Sequence, residues 1–188
     1  VAKSKKQSIL DTALELFVRD GVDGTSIRAI AEGAETAEGN IYRHFKSKND
    51  LARKLFLECA NHFRTAFKEA AGQEKNPEEQ IKAIIREIFE FAFDQKKEFA
   101  YVLIVHHREE IITKEILSKP LPKDIFIKIL ETGIDEGKFR SVDPNIAIAW
   151  IIGMVQRSFI FMQSGMISLS KEDLVDQTID AALRTIKA

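Results

Sequence analysis

Residues 25–51 read TSIRAIAEGAETAEGNIYRHFKSKNDL, and this stretch decides the fold. Thr25 or Ser26 can cap a short helix in which Ile27, Ile30 and Ala31 face inward. Ile41 and Phe45 mark the apolar side of a second short helix, which runs into aromatics and two lysines between Tyr42 and Lys48. Two amphipathic segments joined by so tight a connection suit a helix-turn-helix whose second member enters the major groove of DNA.

Working outward, Ser4-Lys5-Lys6-Gln7 has the capping-box pattern. The stripe Ile9, Leu10, Ala13, Leu14 and Phe17 then marks a helix ended by Gly21. Three short helices sharing Leu14, Phe17, Ile30, Ile41 and Phe45 can close a small core. Downstream, Ser47 and Asp50 open a long helix through Leu51, Leu55, Cys59, Phe63 and Phe67, which frays near Gly72. Asn76-Pro77 starts a helix whose Ile81, Ile84, Ile85, Ile88, Phe89 and Phe93 cover more than one face, which places it centrally. The run from Phe99 to Val105 lacks alternation and a partner strand, so it reads as helix. Further helices follow Pro122 up to Gly137, run from Asp143-Pro144 to about Ser164, and begin at Ser170-Lys171-Glu172-Asp173. The expectation is an all-α protein of about nine helices with no sheet. Residues 1–47 form a DNA-binding head, and residues 48–188 form a helical body for ligand binding and dimerisation.

Composition agrees with a water-soluble core-forming chain, since 45% of the 188 residues are hydrophobic. The net charge of −1 is too small to indicate nucleic acid by itself. It is unevenly placed, with ten basic against eight acidic residues in 1–54 and eighteen against twenty-one in 55–188. The single cysteine, Cys59, leaves no intrachain disulfide, which fits a reducing compartment. The longest apolar run, Ile146 to Val155, is about half the roughly 20 residues that span a bilayer, and no hydrophobic signal region follows Val1. A cytoplasmic protein without membrane anchoring is expected.

Ile30-Ala31, Gly39, Tyr42-Arg43-His44-Phe45 and Lys46-Ser47-Lys48-Asn49-Asp50-Leu51, preceded by Ala13, Phe17, Gly21 and Thr25-Ser26, resemble the tetracycline-repressor (TetR) family over the first quarter of the chain. The resemblance implies an all-α homodimer with a DNA-binding head and a body in which a small molecule controls operator affinity. Two positions depart from the family pattern. Glu35 stands where glycine usually makes the turn, which asks a non-glycine residue for positive φ, and Ala37 stands where a serine usually caps the recognition helix. Thr36 can substitute as cap with a one-residue shift.

The candidate DNA contacts follow from these placements. Thr25 and Ser26 can meet a phosphate or serve only as caps. Arg28 can reach the backbone or a guanine edge, or remain solvated. Ala37 begins the recognition helix, and Gly39 permits close approach to DNA or serves packing. Glu38 can accept from cytosine, and Asn40 can pair with adenine. Tyr42 resembles the family's phosphate-binding tyrosine, with a core role as its alternative. Arg43 and His44 are backbone or base-edge contacts, while Lys46 and Lys48 place charge beside phosphates, Lys48 at the positive end of a helix.

In the body, Phe89, Phe93, Phe99, Tyr101, His106, Trp150, Met154, Arg157 and Phe161 can line an apolar effector pocket or can be core. Arg157 can pair with an acidic ligand group or with Glu90. Gly153, Trp150, Ile160, Phe161 and the last helix suit a two-fold contact through the last two helices, or intrachain packing. His106 and His107 point about 100° apart on a helix and do not chelate together. The sequence contains no metal-ligand cluster, phosphate loop or nucleophile elbow, so no catalytic residue, metal or cofactor is expected. The expected function is a transcriptional regulator, a repressor released from double-stranded operator DNA by a small, largely apolar effector. A helical carrier or sensor with a vestigial head is the alternative.

Overall fold

The computed structural model describes residues 4–105 and 107–188, and among them every regular element is helical. The order is α1 (Lys5–Gly24), α2 (Ile27–Gly33), α3 (Glu38–His44), α4 (Lys48–Gly72), α5 (Pro77–Asp94), α6 (Lys96–Phe99), a π turn (Ala100–Ile104), α7 (Lys114–Leu117), α8 (Pro122–Asp135), α9 (Pro144–Gln163) and α10 (Lys171–Ile186). One isolated antiparallel bridge joins Phe139 to Lys187. The short α7 was not foreseen. The stretch expected as plain helix from Phe99 instead widens into the π turn, where Val105 N–H donates to Ala100 O five residues back.

The helix starts are set by local bonds that satisfy otherwise unpaired amides. Ser4 Oγ accepts from Gln7 N–H, Ser47 Oγ from Asp50 N–H, Asn76 Oδ1 from Glu78 N–H and Ser170 Oγ from Asp173 N–H. The first capping box is only half made, because the Gln7 amide reaches forward to Asp11 rather than back to Ser4. Gly21 leaves helical geometry at φ +75°, ending the straight part of α1.

Packing divides the chain into two compact units. One comprises the residues up to Ala60 together with Lys96–Pro120; the other comprises Asn61–Gln95 and Leu121–Ala188. Packing therefore groups Lys96–Pro120 with the head, which a single cut after residue 47 does not anticipate. In the first unit α1, α2 and α3 meet around Ile9, Leu10, Ala13, Phe17, Ile30, Ile41 and Phe45, all buried. Leu14, expected in that core, is only half-buried. Tyr101 stacks on Phe17 and donates its hydroxyl to Ala52 O at 3.1 Å. Burial pushes both the Tyr101 phenol and the Cys59 thiol far up, so Cys59 is an unreactive core side chain.

In the second unit α5 packs against α8, α9 and α10, the central position its apolar breadth predicts. Phe63 stacks on Phe91 with centroids 4.1 Å apart, and Phe67 meets Phe126 edge-on. By length and composition α9 is apolar enough to cross a membrane, which the shorter run counted from sequence understates. It packs against α5, α8 and α10, burying Ala147, Ile151, Val155 and Phe159, and leaves Ile146 and Trp150 exposed.

Candidate nucleic-acid interface

The tight connection between α2 and α3 is a backbone construction. Ala34 N–H donates to Ile30 O and Thr36 N–H to Ala31 O. Between them Glu35 takes φ +49°, the left-handed conformation expected of a residue in the glycine position. Lys5 Nζ donates to the Glu35 carbonyl at 3.2 Å, holding the turn against the start of α1. Ala37 is the N-cap of α3 and supplies no side-chain bond. Thr36 does not replace it, because its Oγ1 accepts from Asn40 Nδ2 at 2.9 Å.

This arrangement fixes which side of α3 is outward. Ile41 and the flanking Phe45 are buried, so Gly39 and Arg43, two residues either side of Ile41, fall on the opposite side of the helix. Glu38, Gly39, Tyr42, Arg43 and His44 are exposed, and nothing lies within 4 Å of a Cβ built on Gly39. Tyr42 shows 54% of its surface, which removes its core alternative. Asn40 differs from expectation: it is half-buried and one N–H of its amide donates to Thr36 Oγ1.

The other sequence-derived contacts divide similarly. Thr25 is buried and donates its hydroxyl to Gly21 O at 2.8 Å, so its proton serves the end of α1. Ser26 caps α2 by accepting from Ala29 N–H. Arg28 is exposed but pairs with Glu32 at 2.9 Å, and that bond raises its already high pKa. Lys46 is exposed, whereas Lys48 Nζ donates to Thr25 O at 2.7 Å and Asp23 O at 3.3 Å. Its charge is therefore shared between the end of α1 and whatever lies outside.

Asp50, read from sequence only as part of a helix start, and Lys54, not singled out there, brace the end of α3 and the loop after it, while Arg53, also not singled out, bonds to a carbonyl distant in sequence. Asp50 Oδ2 accepts from Lys46 N–H at 2.8 Å and pairs with Lys54 at 3.0 Å. Burial works to raise the Asp50 pKa, but the Lys46 amide and the Lys54 ammonium prevail and hold it below the usual carboxylate value. Lys54 Nζ also donates to His44 O at 3.3 Å and sits over the Phe45 ring, closing the C-terminal end of α3. Arg53 donates to Glu110 O at 2.8 Å. The i,i+4 spacing of Asp50 and Lys54 was the available signal.

Among the described residues, the body candidates are divided between the two packing units. Phe99 and Tyr101 are core of the first unit, and His106 lies outside the described residues. In the second unit Phe89 is buried and stacks on Phe93, whose ring meets Phe159 edge-on at 5.4 Å, while Phe161 is half-buried. Trp150, Met154 and Arg157 border a shallow open depression with Arg140, Gly153 and Thr185. Arg157 is exposed, and Glu90, its suggested partner, pairs with Lys171 at 2.7 Å.

A helix-turn-helix with an exposed outer face, in a chain whose described residues form only helical elements, defines a DNA-binding regulator. Residues 9–55 match the family described as "Bacterial regulatory proteins, tetR family", and residues 56–188 match "Tetracyclin repressor-like, C-terminal domain". The chain belongs to the tetR family of bacterial transcriptional regulators. The transcriptional repressor KstR2 of Mycobacterium tuberculosis is 23% identical over 164 residues, covering 79% of this chain and 76% of the relative. The fatty acid metabolism regulator protein of Bacillus subtilis is 27% identical over 162 residues, covering 83% and 82%. A tetR family transcription regulator from Shewanella sp. PV-4 shares the fold at a TM-score of 0.83 and 18% identity, covering 99% of this chain and 100% of that one. So does FadR from Bacillus subtilis in complex with stearoyl-CoA, at 0.74 and 24%, covering 94% and 97%.

Proposed function

We propose that the chain is a homodimeric repressor that reads a double-stranded operator with α3 and leaves it when a largely apolar effector binds the body. The carrying observation is the polarity of α3, with Ile41 and Phe45 buried while Gly39, Tyr42, Arg43 and His44 stand clear. A seven-residue helix presented this way fits the major groove, with Arg43 and Glu38 as base-edge readers and Tyr42, His44 and Lys46 as backbone contacts. Ser26 and Arg28, exposed at the start of α2, serve as further backbone contacts, and Ala37 and Gly39 let the helix backbone approach. A protein that reads chromosomal DNA in a bacterium works in the cytoplasm.

The dimer is assigned to the last two helices, α9 and α10. The outer side of α9 carries exposed Ile146, Trp150 and Gly153, an apolar strip that a second copy covers by two-fold symmetry. Two heads about 34–36 Å apart meet successive major grooves, and an effector that favours another separation releases the DNA. The aromatic packing of Phe89, Phe93 and Phe159 supports an apolar effector, as do relatives named for fatty acid metabolism or crystallised with stearoyl-CoA. The test is selection of duplexes from a random pool, followed by titration of the selected complex with fatty acids and acyl-CoA esters of graded chain length. Selection of a two-fold-symmetric site and release by a long-chain ligand are expected. Failure to select any sequence would favour a carrier with a vestigial head.

A further inference from the structure

We propose that the concavity between the first turns of α4 and the α7 segment is a second DNA contact, holding backbone phosphates that flank the base pairs read by α3. The proposal rests on the reading of the head as a DNA-binding unit. The concavity has a volume of about 720 Å³ and lies wholly within the first packing unit. Lys46, Arg53 and Lys54 stand on its α4 side and Lys114 and Lys119 on the other, against only two carboxylates, Asp50 and Glu115.

The bonding of these groups shows how much of that charge is free. Lys54 is taken by Asp50 and the His44 carbonyl, and Arg53 by the Glu110 carbonyl. Lys119 approaches Glu115 only at 3.9 Å, an exposed pair that water and salt largely screen. Lys46 and Lys114 are exposed and make no ion pair or side-chain hydrogen bond among the described residues. In a chain whose net charge is −1, this is a local excess of cations around a hollow.

Its position selects nucleic acid as the occupant. Lys46 belongs both to this rim and to the surface that follows α3, and Lys54 reaches from the rim to the last carbonyl of α3. A duplex seated on α3 therefore brings its sugar-phosphate strand to the edge of the same concavity. Because Lys114 and Lys119 meet phosphates and not bases, they add affinity without adding sequence information.

The experiment compares wild type with Lys114→Ala/Lys119→Ala on a selected duplex carrying long flanks, measuring affinity across a salt series. The double variant is expected to bind on the order of tenfold more weakly at low salt, with the slope of log K against log salt shallower by about 1–2 and base preference unchanged. Lys114→Arg/Lys119→Arg should keep the wild-type slope, and Glu115→Gln, which removes a carboxylate from the same rim, should tighten binding. An unchanged slope in the alanine variant, while wild type still selects its site, overturns this contact and leaves the head's function standing. A changed base preference overturns it as well. A small phosphorylated molecule is the other source of the same chemistry. If adenosine 3′,5′-bisphosphate binds wild type but not the alanine variant, and the DNA slope is unaffected, the DNA assignment is overturned. If wild type binds no duplex, both readings fall.

Discussion

Lys48 Nζ lies 2.7 Å from the Thr25 carbonyl, so the first residue of α4 ties down the junction between α1 and α2. The same ammonium, at the positive end of a helix, is proposed as a phosphate contact, and the two uses are compatible because a lysine has three donors. Replacing Lys48 by Met is expected to cost about 1–3 kcal/mol through the lost charge-assisted bonds. It should also weaken operator binding equally for all sequences. Urea unfolding and competition with variant duplexes check the two effects, and a changed preferred sequence would reject the phosphate role.

Glu35 holds φ +49° without being glycine, and Ala37 caps nothing. Glu35→Gly should therefore raise stability by about 1 kcal/mol by relieving the left-handed residue. Ala37→Ser should add about 1 kcal/mol by satisfying a free amide of α3. Thermal melts read both, each kilocalorie being worth roughly 2–4 °C in a chain of this size. A melt lowered by Glu35→Gly would mean that the Glu35 side chain makes a compensating contact.

Gly133, buried in α8, faces the ring of Phe139, and a Cβ there would run into that ring. Gly133→Ala is expected to destabilise by about 1–3 kcal/mol through overpacking. Adding Phe139→Leu should recover part of the loss, a non-additivity that a double-mutant cycle measures directly.

Trp150→Asp places charge in the middle of the exposed strip of α9. If a second copy covers that strip, sedimentation should show a monomer of unchanged helicity, with operator affinity reduced because two linked heads become independent. A dimer that survives the change would move the interface elsewhere.

The Asp50 carboxyl is held below its ordinary value, so its contribution to stability is complete above the normal aspartate range near pH 3.9. It is lost as pH falls through the depressed value. Asp50→Asn should flatten the acid limb of the stability curve, followed by circular dichroism, while leaving the neutral limb in place.

What was legible in the sequence is what short-range chemistry decides. Ser4, Ser47, Asn76, Asp143 and Ser170 each cap the helix they were read to start, because donor and acceptor lie within four residues. The inward face of α3 followed from Ile41 and Phe45, and the strained turn from Glu35. The return of residues 96–120 to the head was not legible. It depends on Tyr101 meeting Ala52, Lys97 meeting Glu15 and Arg108 meeting Asp23, pairings across long separations that no local period encodes. For the same reason the sequence did not show that Asn40 turns back on Thr36, or that Glu90 prefers Lys171 to Arg157.

Trp150 is the chain's sole tryptophan, and its ring lies 5.2 Å from the guanidinium carbon of Arg140. Emission excited at the red edge, where tyrosine and phenylalanine do not absorb, consequently originates at a single spot on the outer side of α9. Spectral colour and quenching by added iodide then become an intrinsic gauge of whether that spot is wet or shielded, without dye or tag.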